Sequence, residues 1–106
     1  MFNMQTLVQQ AQSMQKRMKE TQAKLALEER EGTSGGGLVK VTLNGKGEMK
    51  KISISEELIN KDEIDVLEDM VMAAFNDAHE QIELMQEEGM KAATGGVDFG
   101  GLKIPF

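Results

Sequence analysis

Cysteine, tryptophan and tyrosine are absent from this chain, and proline and histidine occur once each. Without cysteine there can be no disulfide, no thiolate nucleophile and no thiolate-bound zinc. Four phenylalanines are the whole aromatic complement, so methionine (nine residues), leucine, isoleucine and valine must fill the interior. Methionine suits irregular gaps but specifies shape weakly. No apolar run approaches the ~20 residues that cross a bilayer. Met1-Phe2-Asn3-Met4-Gln5 has neither a basic leader nor a continuous apolar stretch, so no secretory signal is expected. The expectation is one soluble, cytoplasmic domain; 106 residues suffice to bury a real core.

Positive charge is scarce overall but not evenly so. The formal net charge is −6, which as an average opposes nucleic-acid binding. Residues 1–51 hold nine Lys and Arg against five acids, a balance of +4, whereas residues 52–106 hold three against thirteen, a balance of −10. A dipolar chain can present a positive face despite a negative total. Two ordinary solvated surfaces would show the same numbers.

Residues 3–27 contain no glycine or proline and place Met4, Leu7, Ala11, Met14, Met18, Thr21 and Leu25 at alternating steps of three and four. That is a heptad seam on one long helix, with Lys16, Arg17, Lys19 and Lys24 pointing away from it. Such a helix buries little by itself and needs a partner: a sheet, a second helix or another copy. Residues 28–34 fit either a frayed helix end or a charged edge strand, and Gly35-Gly36-Gly37 breaks any regular element. Val39, Val41 and Leu43 then alternate, Asn44-Gly45 predicts a type I′ turn with Gly47 allowing a bulge, and a return strand from Met49 to Ser55 carries Ile52 and Ile54 on one face. Asn60 followed by Glu63 resembles a capping box ahead of a second helix over about 61–93. Its apolar stripe is Leu67, Met70, Val71, Ala74, Phe75, Ala78, Ile82 and Met85. The segment 95–106 is Gly-rich with apolar beads and is expected to be a flexible tail beyond a single domain over 1–94.

Candidate chemistry is thin. Gly35-Gly36-Gly37 lacks the Lys and Ser/Thr of a phosphate-binding loop, and Gly45-Lys46-Gly47 lacks the third glycine of a dinucleotide fingerprint. His79 begins His-Glu-Gln-Ile-Glu, with Glu where a zinc-protease helix needs its second His. Asp62, Glu63, Asp65, Glu68 and Asp69 lack the spacing and central glycine of a calcium loop. These features imply no catalytic residue and no metal site. The basic set Lys16, Arg17, Lys19 and Lys24 carries the most weight: doubled in a dimer it offers eight cations for backbone phosphates, with no aromatic among them to stack single-stranded bases. A generic helix-mediated dimer accounts for the same helix equally well.

Three stretches together resemble the YbaB/EbfC family of nucleoid-associated proteins: Gly32-Thr33-Ser34-Gly35-Gly36-Gly37-Leu38 through Asn44-Gly45-Lys46-Gly47-Glu48, then Leu67 through Ala78 (Leu-Glu-Asp-Met-Val-Met-Ala-Ala-Phe-Asn-Asp-Ala), and the closing Leu102-Lys103-Ile104-Pro105-Phe106. The resemblance implies an α+β, α-β-β-β-α subunit with a three-stranded antiparallel sheet and two long helices, paired into an intertwined homodimer with projecting helical arms. It implies binding to double-stranded DNA with little sequence specificity, nucleoid organisation and regulation of gene expression, a cytoplasmic, nucleoid-associated location, and no cofactor. It brings no catalytic residues and no fixed DNA-contact motif. Charge therefore selects Lys16, Arg17, Lys19 and Lys24 as DNA contacts, with Lys50 and Lys51 secondary; no membrane and no small-molecule substrate are expected as partners. The almost wholly charged Glu28-Glu29-Arg30-Glu31 predicts a short or irregular first strand. An acidic second helix and apolar tail would alternatively suit an adaptor recruiting replication or repair proteins.

Overall fold

The structure is a computed structural model and describes residues 3–93. Its elements run α1 (Met4–Leu27), β1 (Glu29–Ser34), a short 3-10 turn (Gly35–Gly37), β2 (Val39–Asn44), β3 (Met49–Ile54), a second 3-10 turn (Glu56–Leu58) and α2 (Ile64–Ala93). The strands form one antiparallel sheet in the order β1-β2-β3. This is the expected α-β-β-β-α layout. The expected Gly-rich segment 95–106 lies outside the described residues.

One face of the sheet packs on α2. Val39, Val41 and Leu43 are fully buried there, each contributing about 1.5–3 kcal/mol by leaving water. They meet Ala74, Ala78, Ile82 and Met85, with Leu25, Leu58, Met70, Val71 and Phe75 packed around them. The periodic stripe expected on the second helix is therefore the core face. Its alanines serve a particular approach: a Cβ on Gly32 would stand 2.7 Å from Ala78 Cα and would meet the α2 backbone at Ala74 as well. Strand and helix touch backbone to backbone. Two hydrogen bonds flank this contact, the Thr33 amide donating to Asp77 Oδ2 at 2.9 Å and the Ser34 hydroxyl to the Met70 carbonyl at 2.6 Å.

Three local expectations are corrected. β1 is neither short nor irregular: all six of its residues pair in register with β2, from Glu29 opposite Asn44 to Ser34 opposite Val39. Its charges are accommodated because Glu29 and Glu31 alternate with Gly32 and sit exposed. The β2–β3 turn is not type I′, since neither Asn44 nor Gly45 has positive φ. The left-handed residue is Gly47 (φ 80), and Asn44 Oδ1 accepts from the amides of Lys46 (2.9 Å) and Glu48 (3.0 Å), making a three-residue loop with a glycine bulge. Gly45 is there for clearance: a Cβ would lie 2.6 Å from the Leu25 carbonyl carbon. Finally, Asn60 does not cap α2 reciprocally with Glu63. Its Oδ1 accepts from the Asp62 amide at 3.0 Å, while the Glu63 carbonyl accepts from Val66 and Leu67, so a separate turn precedes the helix.

α1 has Asn3 as its N-cap, the side chain accepting from the Gln5 amide at 3.0 Å. None of its residues is fully buried. Its half-buried positions, Met18, Thr21, Leu25 and Ala26, all lie in the half nearer the sheet. Leu25 sits against Gly89, where a Cβ would come within 2.7 Å of Leu25 Cδ2. Gly89 lies four residues before the end of α2, so most of α1 runs on past it. The resulting extents of 74 × 25 × 18 Å describe a body with one long arm.

Gly32→Ala is expected to cost about 3–4 kcal/mol of unfolding free energy, because backbone atoms cannot move aside as a side chain can. Gly36→Ala, in open space at φ 69, should cost about 1 kcal/mol from the left-handed backbone alone. Urea denaturation of both variants checks the order; equal losses would contradict the close approach.

Candidate nucleic-acid interface

The four cations chosen from sequence all lie on α1 and all are exposed. At 100° per residue, Lys16, Arg17, Lys19 and Lys24 fan over about 160° of the helix half turned away from the Met4–Leu7–Ala11–Met14–Met18 seam, with Arg17 at its margin. They occupy about 12 Å of helix axis at 1.5 Å per residue. None of them is in an ion pair among the described residues; the pairs within 4.0 Å are Arg30–Glu28 (3.1 Å) and His79–Glu83 (3.5 Å). Glu20 shares their face (one turn from both Lys16 and Lys24), so the stripe carries four positive charges and one negative.

Lys50 and Lys51 belong to a second group. They sit exposed on β3, which is hydrogen-bonded to β2, while α1 lies against α2. They stand on a different element from the four α1 cations. Lys51 pairs with Thr42, and the register then shifts so that Leu43 pairs with Met49, leaving Lys50 at the irregularity. Lys51 and Lys40, whose neighbours Ile52 and Val41 point toward α2, face away from that helix.

Glu48 was missed from sequence, and the β2–β3 loop explains it. Its Oε1 accepts from Asn44 Nδ2 at 2.8 Å. That hydrogen bond chiefly, with the charges of Lys50 and Lys46, holds its carboxyl below the usual glutamate range against the opposing effect of desolvation. The carboxylate therefore stays ionised beside the two lysines and offsets part of their charge. The only advance signal was Glu48 four residues after a turn-forming Asn.

Other candidates resolve into structure. His79 stacks on Phe75 with ring centroids 6.1 Å apart and faces Glu83. The acids at 62, 63, 65, 68 and 69 are all exposed. Among the described residues no group of three His, Asp or Glu is placed to hold a metal ion, and no helix is long and apolar enough to cross a membrane.

These features define a small α+β domain that offers a charged rod and an uncovered sheet edge to its surroundings. The chain belongs to the YbaB/EbfC DNA-binding family, whose profile matches residues 1–97. It is 46% identical over full length to a protein of Granulibacter bethesdensis, and 41% to proteins of Methylocella silvestris and Rickettsia akari, all named nucleoid-associated protein, with 100% of each chain covered. Its fold matches the crystal structure of an uncharacterized protein from Helicobacter pylori at a TM-score of 0.68 and 24% identity, covering 90% of this chain and 97% of that one.

The depressed Glu48 carboxyl gives stability that is present above the ordinary glutamate range and is lost as pH falls through its folded value. An NMR titration of the side-chain carboxyl should place its midpoint below the ordinary glutamate value, and Asn44→Ala should raise it. A midpoint unmoved by that substitution would contradict the assigned cause.

Proposed function

We propose that the protein binds double-stranded DNA as a homodimer, through backbone phosphates and with little sequence specificity, and so contributes to nucleoid organisation and regulation of gene expression in the cytoplasm. The observation that carries this reading is the exposed, unpaired stripe Lys16–Arg17–Lys19–Lys24 on a projecting helix. A rod with cations and no aromatics neutralises phosphates without reading base edges. Family membership and the names of its relatives support the same ligand. The acidic α2 repels a polyanion, which limits contact to the α1 side and makes orientation part of the mechanism. Lys50 and Lys51 are secondary contacts, weakened at Lys50 by Glu48.

The dimer reading rests on β3. Ile52 and Ile54 stand opposite Val41 and Val39 and so share the α2-facing side of the sheet, yet they are 43% and 37% exposed. α2 packs on β1 and β2 and leaves this edge strand uncovered. An apolar, unpaired sheet edge in an otherwise strongly charged chain calls for a cover, and a second copy brings an identical, self-complementary edge. Pairing there would give eight stripe cations per assembly.

Gel-shift titrations on unrelated duplexes should give similar affinities, falling with salt at a log–log slope as steep as about −7 if all eight cations reach phosphate. Replacing Lys16, Arg17, Lys19 and Lys24 by Gln should weaken every duplex alike and cut that slope by more than half; unchanged affinity would refute this surface. At low micromolar concentration Ile52→Gln/Ile54→Gln should sediment as a monomer and bind DNA at least ~10-fold more weakly, since it halves the phosphate contacts per particle. A variant that remains dimeric would move the interface elsewhere.

A further inference from the structure

The outer half of α1 carries a feature that phosphate binding does not use. Residues 1–15 contain no Asp, Glu, Lys, Arg or His, in a chain where charged residues make up 28%. Gln5, Gln9, Gln10, Gln12 and Gln15 supply the polarity instead, and the seam of Met4, Leu7, Ala11 and Met14 runs between them. In the structure this seam is bare: Met4 is 69%, Leu7 46% and Met14 36% exposed, with Val8 beside them also exposed. The same seam continues inward as Met18, Thr21 and Leu25, which are half-buried where α1 reaches the body. One continuous heptad stripe is thus covered at its inner end and uncovered at its outer end.

We propose that the outer half of α1 is a self-association site at which the arm tip of one assembly pairs antiparallel with the arm tip of another. The spacing selects a helix as partner, because steps of three and four keep a seam facing another helix along its length. The charge pattern selects a second copy. Two chains of net charge −6 repel, and the tip is the segment where neither brings a charged side chain. Antiparallel pairing is set by the residues behind the tip. It places Met4 opposite Met14 and Leu7 opposite Ala11, and it sends the two Lys16–Lys24 stripes and the two bodies to opposite ends. Parallel pairing would set cation stripe beside cation stripe and body beside body. Each tip contact is small and therefore weak alone. On a DNA lattice, where several assemblies are held close together, the same contacts gain from effective concentration. The site is independent of the DNA-binding reading and is tested without DNA.

The test is sedimentation equilibrium of the full chain up to several hundred micromolar, in the natural sequence, in Leu7→Gln/Met14→Gln, and in a chain ending at Thr94. The natural chain should form species heavier than the dimer. The double Gln variant keeps helix propensity and charge, and should retain its helical circular dichroism while its higher association constant falls at least ~10-fold. In the Ile52→Gln/Ile54→Gln background, tip pairing should still carry monomer to dimer, which separates it from the sheet-edge interface. Because the chain has no cysteine, an equal mixture of Leu7→Cys and Ala11→Cys chains reports the register: under mild oxidation the mixed disulfide should clearly exceed the half of all crosslinks that random pairing gives. The proposal is overturned if the natural chain shows no heavier species, if the double Gln variant associates unchanged, or if the mixed disulfide makes up no more than half of the crosslinks. It is equally overturned if the chain ending at Thr94 associates at least ~10-fold more tightly, because residues 95–106 of the same chain would then be the occupant of the stripe.

Discussion

The contact of Gly32 with the backbone of α2 at Ala74 and Ala78 governs the rest of the molecule. With no side chain between them, β1 lies directly on the helix, held there by Asp77 and by the Ser34 hydroxyl. β2 follows in register and drives Val39, Val41 and Leu43 into the remaining space. Because β1 is pinned so tightly, α2 sits over one side of the sheet and β3 is left at the margin. Ile52 and Ile54 are thereby exposed on the very face that is dry on the neighbouring strand. Glycine and alanine positions thus decide where the apolar edge falls.

A second close approach aims the arm. Gly45 and Gly89 both make room for the end of α1 at Leu25, and Gln86 donates a hydrogen bond to the Gly45 carbonyl. The β2–β3 loop, α2 and α1 meet at this junction. From here α1 carries three kinds of surface along and around a single rod: an inner seam against the body, a cationic stripe on the opposite side, and a neutral outer seam. The chain's charge asymmetry becomes spatial through this arrangement, since the exposed acids of α2 belong to the body and the four cations to the arm.

Much of this was legible in the sequence, because period is a local property. The 3–4 spacing of both helices and the alternation around Val39, Val41 and Leu43 identify the elements and their inward faces directly. The family resemblance supplied the third strand and the layout. The features that escaped were decided by distant neighbours. Asn44-Gly45 carries a type I′ signature, but Gly45 answers to Leu25 and the loop instead takes its positive φ at Gly47. Asn60 and Glu63 have capping-box spacing, yet the asparagine closes a turn of its own. Gly32 falls in a stretch that fits a frayed helix end or an edge strand equally, and is in fact the residue on which strand and helix meet. The cations were selected by charge; their placement on one exposed side of α1 follows from helix geometry, whereas the separation of Lys50 and Lys51 onto another element, and the restraint on Lys50 by Glu48, needed the folded chain.

The central claim is that a duplex meets this protein along α1. Backbone amide NMR of the full chain, titrated with a short random-sequence duplex, tests it most directly. The account requires shift changes and line broadening concentrated at residues 16–24 of α1, with Asp65–Asp69 of α2 little affected. Perturbations centred on α2 or on the β1 side of the sheet, with the arm silent, would contradict it.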